Sequence, residues 1–413
     1  MKSAAKEILK KHWGFSAFRN PQEEIICAAL ENKCTIALLP TGGGKSICFQ
    51  VPALLKEGIC LVISPLIALM QDQVANLKKR GIKAMTLPSG TSQEQMITLF
   101  DNLKFGNFKF LYLSPERLQS KFIQQKIKEL NVHLVAVDEA HCISEWGHDF
   151  RPSYRNIKVI KELQPGAHFI ALTATANKKV LEDIAHSLEF KNPPVFKKSF
   201  YRDNLAYQIF TVEDKLLRLQ QMFTKTKTPA IVYVNSRKKT VEIARFLKAN
   251  NFKSSFYHGG LSAIEKQQSF DNWMTEKTPI MVATNAFGMG IDKSNVGLIV
   301  HLNLPSSIEN YVQETGRAGR DGKKSYAVLL HNEHDVLLFK EQTENTIPSL
   351  AEVKEVHKKL YQHCRIALGE IVEAPFQFPF LEFCKKYHFK PNKVAVIFKI
   401  LANNGVLEIT HNF

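Results

Sequence analysis

The sequence predicts an α/β protein: two parallel-sheet domains in tandem, followed by a small C-terminal module of helical, winged-helix-like character. Three observations predict it. Short apolar runs alternate with helical patterns up to about residue 335, as strands buried on both faces of a parallel sheet do. A linker-like break, Asn192-Pro193-Pro194, divides that alternation in two. From about Glu341 the strand-like runs give way to helical stretches. The expected domains are residues 1–205, 206–340 and 341–413.

In chain order, residues 3–12 carry helix formers, and Pro21 is placed to start a second helix. Gln22 is either a solvated first-turn residue or an amide donating to and accepting from adenine, with Arg19 or Phe15 against the ring. Thr35 to Leu39 reads as a strand. Pro40-Thr41-Gly42-Gly43-Gly44-Lys45-Ser46 follows it and leads into a helical pattern. Strand, glycine turn, Lys-Ser and helix form a phosphate cradle: glycines admit backbone N–H groups to the phosphates, Lys45 reaches the β/γ oxygens and Ser46 offers a hydroxyl to Mg²⁺. The full eight-residue pattern has glycine where this chain has Leu39.

The next strands are Ile59 to Ser64, Phe108 to Ser114, Val132 to Val137 and His168 to Leu172. Ser64-Pro65 lies at a strand end suited to meeting a phosphodiester backbone. Val137 runs into Asp138-Glu139-Ala140-His141, two acids at a strand's C-terminal end, one suited to Mg²⁺ and one to a water attacking a phosphate. The loop behind it, Ser144-Glu145-Trp146-Gly147-His148-Asp149-Phe150-Arg151-Pro152, mixes aromatics and Arg in the manner of a surface that stacks bases. Thr173-Ala174-Thr175 is either a set of helix caps or a relay from the γ-phosphate.

The second half has expected strands at Ala230–Val234, Ser254–His258, Ile280–Ala283, Leu298–Leu302 and Tyr326–Leu330, with no phosphate loop of its own. Arg317 and Arg320, three apart in Gln313–Gly322, are either a solvated helix end or a charge reaching a nucleotide in the first half. At the C-terminus, a helix over 349–368, a Pro/Phe-rich turn from Ala374 to Pro379, helices at 381–387 and 391–401, and a turn and strand over Asn404–Ile409 suggest either a winged-helix module or a packing appendage.

Composition sets outer bounds. The 413 residues are 45% apolar and 23% charged, as in ordinary globular domains, and the net charge of +16 favours a polyanionic partner. Seven scattered cysteines without a CxxC pair argue against a disulfide framework or a four-cysteine zinc site. The N-terminus lacks the apolar core of a secretory signal, and no apolar run is long enough to span a bilayer. The expected setting is the cytoplasm, at the nucleoid if the source is bacterial.

Thr41–Ser46, Asp138–His141, Thr173–Thr175 and Gln313–Arg320, in this order, resemble the motifs of a superfamily-two helicase. Phe18–Gln22, the aromatic-rich loop, Tyr257-His258-Gly259-Gly260 and Thr284–Asp292 narrow the resemblance to the RecQ family, over about residues 10–335. The resemblance implies two RecA-like domains and a DEAH-box, ATP-dependent DNA helicase. Such an enzyme translocates 3′ to 5′ on single-stranded DNA and unwinds duplex or branched DNA in repair and recombination.

Residue by residue, the resemblance assigns Phe15, Arg19 and Gln22 to adenine and Thr41, Gly42, Gly43, Gly44, Lys45 and Ser46 to phosphates. Ser46 and Asp138 take Mg²⁺, and Glu139 the attacking water. Arg317 and Arg320 face ATP, Arg320 as the finger. Gly288, Gly290 and Asp292 link the ATP cleft to DNA, with Gly290 and Asp292 also counted as nucleotide-binding. Ser64, Trp146, His148, Phe150, Arg151, Ser236, Arg237, His258 and Thr284 are the expected DNA contacts. Many relatives carry a four-cysteine zinc subdomain after the second domain. Here only Cys364 and Cys384 stand in that region, so zinc is not expected. DNA is the expected partner, with no membrane and a monomer as the working state. The alternatives are an RNA helicase or remodelling ATPase of the same superfamily, and a non-catalytic, ATP-gated DNA clamp.

Overall fold

The computed structural model describes residues 2–87, 91–147, 149–288, 293–367, 370, 372 and 375–409. The chain forms two compact units. One takes in residues up to Phe210 together with Asp214–Leu330; the other joins Thr211–Glu213 to the chain from His331 onward.

The first unit holds two sheets. In the first, β1 (Thr35–Leu38), β2 (Ile59–Ile63), β3 (Ala84–Thr86), β4 (Phe110–Leu113), β5 (Val132–Val137), β6 (His168–Thr173) and β7 (Val195–Lys197) lie in the order β3-β4-β2-β5-β6-β1-β7. All the pairings are parallel. In the second, β8 (Leu205–Thr211), β9 (Ala230–Tyr233), β10 (Ser254–Tyr257), β11 (Ile280–Ala283), β12 (Leu298–His301) and β13 (Ser325–His331) lie in the order β10-β11-β9-β12-β13-β8. Ten strands fall where the apolar runs predict them.

The sequence misses β3, β7 and β8, and for one reason. Each lies at the edge of its sheet and is partly exposed, so none needs a continuous apolar run. The central strands differ: Leu134 to Val137 of β5 are fully buried between layers of side chains on both faces.

The topology sets the site. Strands β5, β6 and β1 are neighbours, so their carboxyl ends bring Asp138, Thr173 and the loop Pro40–Ser46 side by side. In the second sheet β10, β11 and β9 are neighbours, so His258, Thr284 and Ser236 follow adjacent strand ends.

The second unit is helical: Glu333–Thr346, Leu350–Cys364, Phe380–Lys386 and Pro391–Asn403. Capping boxes at Asn332 and Ser349 start the first two, and Pro391 fills the first turn of the last. Its core is small: Val356, Phe383, Cys384, Val394, Ile397 and Leu401, with Phe378, Tyr387, Phe389 and Phe398 packed around Phe383.

Three expectations are corrected here. Glu333–Thr346 runs without a break across residues 340 and 341, where the sequence places a boundary; its start is fixed by the Asn332 cap. The helix expected over 349–368 ends at Cys364, because Arg365 takes a left-handed conformation (φ 57°). The strand expected within Asn404–Ile409 does not form: the helix ends in a turn at Asn404-Gly405, and the residues to 409 pair with no other strand. The wing of a winged helix is therefore missing among the described residues.

Candidate active site

The phosphate loop is built by backbone constraint. Gly42 and Gly44 take φ of 77° and 76°, a region costly for side-chain-bearing residues. A Cβ on Gly43 would lie 2.7 Å from Pro40 O. Leu39, which departs from the full loop pattern, is buried, and its N–H donates to Thr173 O at 3.0 Å. That position still belongs to the sheet, so a core residue suits it better than glycine. No side chain caps the helix Lys45–Leu55; of its first-turn amides Ile47 N–H turns back to Gly44 O at 3.2 Å, and this uncapped helix start suits an anion.

Gln22 braces this loop. It is buried, its Nε2 donates to Gly43 O at 3.1 Å and Gly44 O at 3.2 Å, and its Oε1 accepts from Arg19 N at 2.9 Å. Arg19 Nη1 donates to Gly42 O at 3.2 Å. Both ends of the Gln22 amide thus engage the chain itself, and Oε1, with one bond from Arg19 N, keeps a second acceptor site for the expected adenine contact. Phe15 is half exposed and open to a base.

The acids follow directly from β5. Asp138 N–H donates to Ile63 O at 2.9 Å, and Tyr154 Oη donates to Asp138 O at 3.0 Å. Burial pushes the Asp138 carboxyl up to about 6, the Glu139 charge adds to this, and Lys45 opposes it. Glu139 sits in a left-handed conformation (φ 47°, ψ 45°), a strained geometry for this residue type. Its Oε1 is 3.8 Å from Lys45 Nζ and its Oε2 3.4 Å from His141 Nδ1. His141 Nδ1 also lies 2.9 Å from Thr173 Oγ1, which in turn donates to Thr175 O. Because the Thr173 hydroxyl proton goes to Thr175 O, Thr173 Oγ1 accepts from His141 Nδ1. The network joins the acidic strand end to Thr173–Thr175, as a relay requires.

This donor set fits ATP and Mg²⁺. Desolvation and the neighbouring Glu139 charge both raise the Asp138 carboxyl, and a divalent cation beside it would offset that cost. Among the described residues no group of three or more His, Cys, Asp and Glu side chains is arranged to hold a metal alone, so phosphate oxygens would complete the Mg²⁺ shell.

The aromatic loop is stapled to the acidic turn. A Cβ on Gly147 would meet His141 O at 2.3 Å. Ser144 Oγ donates to Asp183 Oδ2 at 2.5 Å and accepts from Trp146 N at 3.1 Å. Trp146 is 64% exposed, with Lys179 Nζ 3.5 Å from its ring centroid. Arg155 lies 5.0 Å from the Phe150 ring and pairs with Glu145 at 2.6 Å. Arg151 Nη1 donates to Pro65 O at 3.1 Å, tying the loop to the end of β2. Tyr154, Lys179 and Asp183 were not legible as part of this arrangement; an amphipathic helix with Lys and Asp four apart has no distinguishing mark in sequence.

Three expected site residues, His148, Gly290 and Asp292, lie outside the described residues. Ser64 is 1% exposed with its hydroxyl buried, so it packs under the strand end and does not present itself to a phosphodiester. Arg317 is also corrected. It is 3% exposed and its Nη1 donates to Gly288 O, which makes it a support for the loop at Gly288 rather than a residue facing ATP. Arg320 is different: a Cβ on Gly42 would lie 3.3 Å from its Cγ, so its side chain runs along the phosphate loop. Arg237 approaches Gly259 and Gly260 in the same way, His258 also lies against Gly260, and Ser236 caps the helix that Arg237 begins. Thr284 is largely buried, its N–H bonded to Tyr257 O at 3.3 Å.

Two tandem sheets, a phosphate loop, paired acids and an arginine from the second lobe beside that loop are the layout of a two-lobed, P-loop nucleotide-binding fold. Known proteins agree. Residues 19–184 match the DEAD/DEAH box helicase family and residues 214–322 the helicase conserved C-terminal domain. The chain is 40% identical over 366 residues to the ATP-dependent DNA helicase RecQ of Bacillus subtilis, covering 87% of this chain and 62% of that one. It is 38% identical over 374 residues to the probable ATP-dependent DNA helicase RecS of the same organism, covering 89% of this chain and 75% of that one. Among solved structures, the DUF1998 helicase MrfA bound to DNA and AMPPNP shares the fold at a TM-score of 0.68 and 19% identity, over 83% of this chain and 52% of that one. Saccharomyces cerevisiae Dbp5 bound to RNA and ADP BeF3 shares it at 0.66 and 18%, over 83% and 91%. The chain belongs to the RecQ family of DEAD/DEAH box helicases. It spans about 60% of the length of the RecQ proteins it matches.

Proposed function

We propose that this chain is an ATP-dependent DNA helicase that moves 3′ to 5′ along single-stranded DNA and separates duplex or branched DNA in repair and recombination. Its working parts are a first RecA-like domain (about residues 1–205), a second (about 206–330) and a C-terminal helical module that opens with the helix Glu333–Thr346. The observation that carries the reading is the stapling of the exposed Trp146 loop to the His141 turn, which joins a base-stacking surface to the hydrolysis site.

When bound, ATP with Mg²⁺ supplies the phosphoanhydride and the cation that neutralises its charge. Thr41–Ser46 hold the phosphates and Phe15, Arg19 and Gln22 the base. Glu139 accepts the proton of the attacking water, held by Lys45 and His141. Arg320 lends charge to the transition state, and the lobe that carries it shifts as that contact is made and lost. Trp146, Phe150 and Arg151 track one strand by stacking and phosphate contact; Arg237, Ser236, His258 and Thr284 hold the backbone on the second lobe. Zinc takes no part in this scheme, a monomer suffices for it, and the setting is the DNA-bearing cytoplasm. Among the described residues no helix is long and apolar enough to cross a membrane.

Strand displacement from duplexes with a single 3′ or 5′ tail tests the proposal. Unwinding of the 3′-tailed substrate alone is expected; ATP-independent opening, or equal action on both tails, contradicts it. Trp146→Ala is expected to keep ATP binding and lose DNA stimulation, and unchanged stimulation would make Trp146 a packing residue.

A further inference from the structure

The turn that carries Arg320 is fixed on its amide side by the chain just before β12. Gly319 N–H donates to Val296 O at 2.8 Å and Asp321 N–H to Ser294 O at 3.1 Å. Its carbonyl side faces the segment that joins the two sheets. There Arg202 Nη1 donates to Gly316 O at 3.3 Å and Ala318 O at 2.8 Å, and Nη2 donates to Gly319 O and to Asn204 Oδ1 at 3.4 Å. Asn204 Nδ2 adds bonds to Gly319 O at 2.8 Å and Lys323 O at 2.9 Å.

These carbonyls follow the end of the helix Ile308–Thr315, where unpaired C=O groups concentrate negative charge. A planar fork with five donors satisfies several of them at once, which a lysine ammonium on a flexible stem does not. Gly319 takes φ +60°, and a Cβ there would meet Asn204 Nδ2 at 2.5 Å, so turn and brace are fitted to each other. Burial holds the Arg202 guanidinium below the ordinary arginine value; Tyr207 opposes this and the Arg19 cation adds to it. Arg19 itself donates to Gly42 O in the phosphate loop.

We infer that Arg202, assisted by Asn204, is the positioning residue that sets the reach of Arg320 toward the γ-phosphate. Arg202 touches no substrate; it acts through the backbone of Gly316, Ala318 and Gly319. Its place between the two sheets makes the geometry of the arginine depend on the segment that joins the lobes. The inference rests on reading Arg320 as the transition-state charge.

The experiment is a double-mutant cycle in steady-state ATP hydrolysis with saturating single-stranded DNA, using the full chain. Arg320→Ala is expected to lower kcat by about 10³-fold or more. Arg202→Gln is expected to lower kcat by about 10- to 100-fold, the scale of a misplacement of about 1 Å, with the KM for ATP changed by no more than about threefold. In the Arg320→Ala background, Arg202→Gln is expected to add little further loss. Arg202→Lys, which keeps the charge and loses the fork, is expected to recover only part of kcat, and it replaces Arg202→Gln if that variant shows no cooperative unfolding. A full, multiplicative loss in both backgrounds, or a lowered melting temperature with unchanged kcat, overturns the inference and leaves Arg202 a packing residue. An unchanged kcat in Arg320→Ala overturns the reading of Arg320 instead.

Discussion

Gly147→Ala probes the joint between the aromatic loop and the acidic turn. The new Cβ would lie 2.3 Å from His141 O, 3.0 Å from Ser144 O and 3.3 Å from the His141 carbonyl carbon. A carbon rests about 3.3 Å or more from a carbonyl oxygen, so the shortfall is about 1 Å. Neither oxygen is free to yield, since His141 O accepts from Ser144 N at 3.2 Å and Ser144 O from Gly147 N at 2.9 Å. The loop must lift, at a cost on the order of 1–3 kcal/mol for forced repacking. Set against the coupling between DNA and hydrolysis, that cost is a factor of about 5 to 150. The assay is phosphate release with and without single-stranded DNA, alongside binding of a fluorescent ATP analogue. ATP affinity near wild type and stimulation reduced within that range are expected. A folded variant with undiminished stimulation would refute the mechanical joint.

Other consequences follow from the same geometry. Glu139→Gln is expected to bind ATP and DNA while turnover falls by about 10²-fold or more, measured in single-turnover hydrolysis. Asp138, with its carboxyl raised to about 6, is mostly protonated below that pH; the Mg²⁺ concentration giving half-maximal hydrolysis is expected to rise as pH drops from 7 to 5.5, and no change would remove Asp138 as the metal ligand. His133 and His168, ring centroids 6.4 Å apart, are both lowered to about 4 by burial first. Their neutral forms favour the fold, so this contribution is complete above the unfolded value of 6.5 and is lost as pH falls toward 4. The melting temperature is expected to drop across that window, and less steeply in His133→Gln/His168→Gln.

What was legible in sequence tracks burial. Nine of the ten strands read from sequence are central and announced themselves because both their faces are covered; β10, also legible, lies at an edge, while edge strands such as β7 need no apolar run. The phosphate loop and paired acids were readable because their chemistry demands residue types at fixed spacing. Long-range roles were not. Arg317 and Arg320 look equivalent three residues apart, yet one is buried against Gly288 and the other lies along Gly42. Ser64 looked like a strand-end contact and is covered. Arg202 and Asn204 carry no motif at all; they matter through carbonyls more than a hundred positions away. The expected strand near Val406 failed because a strand needs a partner, which local pattern does not supply.

In the proposed mechanism DNA-strand sensing and ATP hydrolysis meet at the Trp146 loop. Phosphate release measured with single-stranded DNA and with RNA of equal length tests it most directly. Strong stimulation by DNA, little by RNA, and loss of the DNA effect in Trp146→Ala are expected. Equal or greater stimulation by RNA, or DNA stimulation that survives the loss of Trp146, would contradict it.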